Sequence, residues 1–113
     1  SIKPPLMMVG VNKEASINNI LEEDSNFCLN LLKNSQKGIA DTCSGAEEGE
    51  ERFKNDLWIS NNPVYLKDAQ SNIFCKVKEI ISYASHSIIV GEVKDLIHSG
   101  KIEPLIYQNG KYI

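Results

Sequence analysis

The chain has 113 residues, 42% of them apolar and 24% charged, with a formal net charge of −3. That length suits one domain, and the ordinary balance of apolar and charged residues excludes wholesale disorder. The mild negative charge gives no electrostatic footing for nucleic acid or an anionic membrane surface, and the longest apolar run falls far short of a membrane-spanning helix.

Pro4 and Pro5 stop any helix, because each fixes φ and lacks an N–H. The run Leu6–Val11 reads as a short buried strand that ends in a polar cluster containing Asn12, Lys13 and Ser16. Ser16–Glu23 reads as a short helix, with Ile17, Ile20 and Leu21 on one face and Ser16 as its cap. Asn26–Leu31 alternates Phe27, Leu29 and Leu31 against Cys28 and Asn30, the pattern of a strand, and Phe27 is expected in the core. Ser35 is placed to cap a second helix to about Cys43 that buries Ile39, Ala40 and Cys43. Gly45–Asn62, with Glu47, Glu48, Glu50 and Glu51, reads as a long excursion, either functional or a plain surface insertion. Trp58 is expected there as loop packing. Asn72–Tyr83 alternates, Ser87–Val93 is rich in β-branched residues, and Tyr83-Ala84-Ser85-His86 between them turns a hairpin. Leu96–Gly100 reads as a connector. Asn109-Gly110, between Leu105–Tyr107 and Tyr112–Ile113, is a hairpin-turn dipeptide. The sum is mainly β with two short helices and no repeats, a pattern that suits a barrel better than a sandwich.

Familiar catalytic signatures are missing from the sequence. There is no Gly-x-Ser-x-Gly elbow, no Gly-x-Gly-x-x-Gly fingerprint and no P-loop, and the carboxylates are dispersed or bunched in the acidic run, so a glycosidase-like pair is not indicated. Cys28, Cys43 and Cys75 are widely spaced, and His86 and His98 stand away from them, so no metal-ligand pair arises. Three unpaired thiols suit a reducing cytoplasm better than a secreted, disulfide-linked chain. Any redox chemistry must therefore come from a bound cofactor. At the end of a rigid strand, Lys13 with neighbouring hydroxyl and backbone donors can grip a phosphate. The same residues also read as a turn at Asn12, a solvated lysine and a helix cap.

Five segments in order, Pro4–Ser16 (PPLMMVGVNKEAS), Phe27–Leu32 (FCLNLL), Glu51–Phe53 (ERF), His86–Val93 (HSIIVGEV) and Pro104–Tyr112 (PLIYQNGKY), resemble the flavin reductase family. Its members include the reductase partners of two-component flavin monooxygenases. The resemblance implies an FMN-binding split β-barrel of the six-stranded Greek-key type, in a single domain over residues 1–113. It implies FMN, or FAD, as cofactor, NADH or NADPH as electron donor, hydride transfer to flavin N5, a homodimer and a partner monooxygenase. By the same token, residues preceding Pro4 in the family are expected to be missing, since the chain opens just before a strand with neither Met nor a signal-peptide pattern.

The resemblance also assigns residues. Asn12, Lys13 and Ser16 match the turn that holds the FMN phosphate and ribityl chain. Ser1 and Lys3 fall in the stretch that runs along the flavin ring, and Asn30 lies in a strand close to the flavin. Phe53 is placed to cover flavin or nicotinamide, and Arg52, the only arginine, to meet a dinucleotide phosphate or a neighbouring glutamate. His86 matches a histidine near the flavin and nicotinamide, and is the candidate catalytic residue. Tyr107 approaches the flavin or remains a half-buried barrel aromatic. A flavin-binding electron carrier on the same fold and a cofactor-free β-barrel interaction domain are the alternatives.

Overall fold

A computed structural model describes residues 4–46 and 49–112. The chain divides into two compact units. The first gathers the residues up to Cys28 with Ile73–Leu96, and the second gathers Leu29–Asn72 with the residues from Ile97 onward.

The first unit carries most of a four-stranded sheet built from β1 (Leu6–Asn12), β2 (Asn26–Leu31), β5 (Ser71–Tyr83) and β6 (His86–His98), in the order β1-β6-β5-β2. β1 and β6 are antiparallel, and Met8 faces Val90, Gly10 faces Ile88 and Asn12 faces His86. Side chains alternate across a strand. One face therefore carries Met7, Val9 and Val11 beside Gly91, Ile89 and Ser87, and those three residues of β6 are buried. The other face carries Met8, 67% exposed, and Leu6 opposite Glu92. Phe27, Cys75, Val77 and Ile89 are buried in this unit. Fully burying a Val or Ile side chain contributes roughly 1.5–3 kcal/mol. Gly91 is required by packing: a Cβ there would stand 2.6 Å from Cζ of Phe27 and 3.1 Å from Cβ of Cys75. At the opposite edge, the Val77 N–H donates to Ser25 O (2.8 Å), and the Asp24 N–H donates to Val77 O (2.9 Å).

The second unit holds a short helix, α1 (Lys37–Asp41), and two small antiparallel pairs. These pairs are β3 (Trp58–Ile59) with β4 (Tyr65–Leu66), and β7 (Tyr107–Gln108) with β8 (Lys111–Tyr112). Leu66 and Ala69 are buried beside the polar residues Gln70, Ser71 and Asn72. Every polar side chain of that group has a partner. Gln70 donates from Nε2 to Ser99 O (3.0 Å) and accepts the Glu103 N–H at Oε1 (2.7 Å). Asn72 donates from Nδ2 to Leu66 O (3.0 Å), and the hydroxyl of Ser71 meets His98 Nδ1 at 2.7 Å.

Several sequence expectations need adjustment. The helix expected over Ser16–Glu23 is a four-residue 3-10 turn, Ser16–Asn19, capped by Ala15, so Ser16 is its first residue and not its cap. Ile17 and Ile20 are exposed. Without a buried face to hold it, so short a segment does not propagate as an α-helix. The second helix starts with a 3-10 turn at Asn34–Gln36, where Oε1 of Gln36 accepts the Lys33 N–H (2.8 Å). Its α-helical part stops at Asp41 and continues as a wider turn, Thr42–Ala46. Ile39 and Ala40, expected to be buried, are only half-buried, and Cys43 is exposed. β6 runs five residues beyond Val93, through a stretch read as a connector. The excursion after Gly45 contains a 3-10 turn at Glu50–Phe53 and then β3.

Candidate functional site

Two of the predicted site segments meet in the first unit. Asn12 and His86 are the terminal pair of the β1–β6 ladder. The chain then turns: Asn12 O accepts the Ala15 N–H (2.9 Å), and Asn12 Oδ1 accepts the Glu14 N–H (2.8 Å). This Asx-type turn is the local signature of an asparagine that ends a strand. With Oδ1 held, Nδ2 is the donor that Asn12 can offer a ligand. Lys13 is anchored twice, its N–H donating to Ser85 O (2.9 Å) and its ammonium to the hydroxyl of Ser82. An ammonium has three protons to donate, so the bond to Ser82 aims the group without exhausting it. Ser85 bonds Nδ1 of His86 through its hydroxyl (2.9 Å), which fixes the imidazole and leaves Nε2 as the nitrogen to present outward. Gly10 adds a bare stretch of strand beside the imidazole, since a Cβ there would lie 4.0 Å from His86 Cδ2.

Asn12, Lys13, Ser82, Ser85 and His86 are all exposed. The cluster combines a cation, hydroxyls, an amide and an imidazole, a donor set that suits a phosphate. Ser16 is exposed in the 3-10 turn that follows, but four residues supply little helix dipole. Ser82 and Ser85 were not singled out from sequence. Their only signal there is that they flank or form the β5–β6 turn.

The remaining candidates lie in the second unit or outside the described residues. Ser1 and Lys3 fall outside them. Asn30 is engaged internally: its Oδ1 accepts the Leu66 N–H (3.1 Å) and Nδ2 of Asn72 (2.8 Å). Arg52 donates from Nε to Gly49 O (2.8 Å), and its guanidinium carbon lies 4.9 Å from the centroid of the Phe53 ring. Phe53 meets Trp58 edge-on, with ring centroids 5.0 Å apart. Arg52 and Trp58, with Thr42, Cys43 and Lys67, wall a cavity of about 460 Å³. Trp58, expected as loop packing, packs edge-on against Phe53 and also lines this cavity. Partial desolvation pushes the Cys43 thiol above its ordinary range, and the Arg52 charge opposes this more weakly. Tyr107 is exposed and packs at 5.0 Å against Tyr112, whose ring also carries the Lys37 ammonium at 5.8 Å.

Similarity to known proteins gives this arrangement its context. Structures alike in fold include BorF, the flavin reductase component of a bacterial two-component tryptophan halogenase (TM-score 0.88, 21% identity, covering 100% of this chain and 74% of that one). Another is the NADH:FAD oxidoreductase SgcE6 of Streptomyces globisporus C-1027 (TM-score 0.88, 21% identity, covering 100% and 70%). The fold is mainly β, of the split-barrel flavin reductase class. The family model described as "Flavin reductase like domain" matches residues 1–113, and the chain belongs to that family. In sequence it is 31% identical to the reductase component of an FADH(2)-dependent resorcinol hydroxylase from Rhizobium sp. (strain MTP-10005), over 99% of this chain and 64% of that protein. It is 30% identical to the FMN reductase (NADH) RutF of Pseudomonas syringae pv. syringae (strain B728a), over 97% and 63%. The chain thus spans somewhat under two thirds of the length of these two relatives.

Proposed function

We propose that this chain is the flavin-handling part of an NAD(P)H-dependent flavin reductase that serves a partner oxygenase. The observation that carries the reading is the cluster of Asn12, Lys13, Ser85 and His86 at the end of the β1–β6 pair, in a chain matched along its whole length by the flavin reductase family. The relatives' names favour NADH over NADPH and include both FMN and FAD.

The residues fit a phosphorylated flavin, because the exposed donors are cationic or neutral and Gly10 leaves the strand surface bare beside them. The chemistry a bound flavin supplies is acceptance of a hydride from reduced nicotinamide at N5. Lys13 neutralises and orients the phosphate, held in place by Ser82. Asn12 and Ser16 donate to the phosphate or ribityl hydroxyls. His86, locked through Nδ1, offers Nε2 for a hydrogen bond to the flavin or nicotinamide. Asn30 keeps a structural role in the second unit, through the Leu66 backbone it fixes. The working form is a cytoplasmic homodimer, and no helix among the described residues is long and apolar enough to cross a membrane.

The test is an absorbance titration with FMN, followed by NADH and NADPH in turn. Bleaching of the flavin band by either donor is expected, and faster by NADH. Tight flavin retention without bleaching would replace the reductase by an electron carrier. Failure to bind FMN at micromolar concentration would remove the flavin reading altogether.

A further inference from the structure

Ser85 touches both ends of the exposed cluster in the first unit. Its carbonyl oxygen accepts the Lys13 N–H (2.9 Å), and its hydroxyl meets Nδ1 of His86 (2.9 Å). The turn that presents it is tightly set. Ala84 before it takes a left-handed φ of 52°, and His86 after it is already paired with Asn12 in the ladder. The hydroxyl has no second partner among the described residues.

A neutral imidazole carries one N–H and one lone pair, and the bond made by one nitrogen decides which of them the other presents. The rest of the cluster turns donors outward. The Lys13 ammonium keeps protons beyond the one given to Ser82. Asn12, with Oδ1 held by the Glu14 N–H, keeps Nδ2. A lone pair on Nε2 would set an acceptor among these donors, and it would repel the phosphate or carbonyl oxygens that they attract.

We infer that Ser85 is a positioning residue: its hydroxyl donates to Nδ1, which keeps the proton of His86 on Nε2 and makes the imidazole a donor to an acceptor oxygen of the ligand. Held this way, His86 has no free lone pair and takes no proton from the ligand. The cluster then reads a ligand by the oxygens it presents. Assigning that oxygen to a flavin or a nicotinamide rests on the flavin reductase reading, whereas the tautomer rests on the geometry alone.

His86 and His98 are the chain's two histidines, so a long-range proton–nitrogen correlation spectrum of the isotope-labelled full chain reads both imidazoles. It is recorded without flavin at about pH 8, where an ordinary imidazole is neutral. In the wild type, the proton of His86 is expected on Nε2. Ser85→Ala should move it toward the mixture of a free imidazole, and Ser85→Thr, which keeps the hydroxyl, should hold it in place. His98 is the internal control, because its Nδ1 meets Ser71 in the second unit. A proton on Nδ1 in the wild type, or an unchanged His86 in Ser85→Ala, overturns the inference. With FMN and NADH, Ser85→Ala should lower kcat/KM roughly threefold to tenfold, the size of one hydrogen bond, at an unchanged melting temperature. Ser85→Thr should recover it. Full activity in Ser85→Ala, a loss that Ser85→Thr does not recover, or a loss that comes with a lowered melting temperature overturns the positioning role. Because the spectrum contains no flavin, its failure is distinguishable from failure of FMN to bind.

Discussion

Asn12 and Asn30 are the same residue type at the same kind of place, on or near the end of a β-strand, yet their surroundings give them opposite work. Asn12 is exposed, and its carbonyl oxygen merely shapes the turn that delivers Lys13. Asn30 is half-buried, and its carbonyl oxygen satisfies the N–H of Leu66, a residue with no solvent exposure, together with Nδ2 of Asn72. The contrast teaches that an amide next to water remains free for recognition, whereas the same amide under a packed layer is bound to structure. An unpaired buried donor costs about 1–3 kcal/mol, whereas an exposed one is solvated at little cost.

The contrast can be broken at its heavy end first. Asn30→Ala strips the acceptor from Leu66 N, and urea unfolding should show a loss of about 2–3 kcal/mol. A loss below about 0.5 kcal/mol would mean that water or another group takes over the bond. Gly91→Ala should cost about 1–3 kcal/mol, typical of overpacking, because the new methyl falls on the Phe27 ring. A lowered midpoint at unchanged m-value in the same assay is the expected signature. Lys13→Ala should do the reverse, weakening FMN binding about tenfold while the melting temperature holds. Unchanged affinity, read by flavin fluorescence quenching, would move the phosphate elsewhere.

The smallest effect is at Glu92, which accepts from Lys94 (2.9 Å) and pairs with Lys78 (3.4 Å). These partners, the Lys94 hydrogen bond foremost, hold its carboxyl below the usual 4.5. A depressed folded-state pKa stabilises the protein at pH above the ordinary value. That contribution fades as pH falls through the depressed value. Glu92→Gln should therefore lower thermal stability slightly near neutral pH, by an amount that shrinks as pH falls below 4.5 and is lost below the depressed value. A melting series across that range, repeated at high salt to screen the pair, checks both features.

The sequence was most legible where alternation was cleanest. Asn26–Leu31 emerges with the expected bounds, and β1 and β5 each differ from expectation by one residue. β6 was read short because Lys94 and Asp95 interrupt its β-branched run, although both strand faces can carry charge where they meet water. The residues of the Asn12–Ser16 turn were visible singly, from their types and the motif. Their meeting with His86 was not, because it depends on a register linking residues 74 positions apart in sequence. The Arg52–Trp58–Lys67 cavity was hidden for a related reason: it is assembled by the segments that lead into β3 and out of β4 together with α1 and the turns flanking it, none of which shows a strong periodic signal.

The ladder that ends in Asn12 and His86 also constrains how the segment can vary in length. Outward and inward positions alternate one by one along β1, with Leu6, Met8, Gly10 and Asn12 on one side and Met7, Val9 and Val11 on the other. Replacing a residue disturbs one place. Deleting one residue between Leu6 and Asn12 moves every later side chain to the opposite face, bringing Val11 out beside the imidazole and turning Asn12 inward. The strand behaves as a ruler of fixed length, tolerant of substitution and intolerant of insertion or deletion.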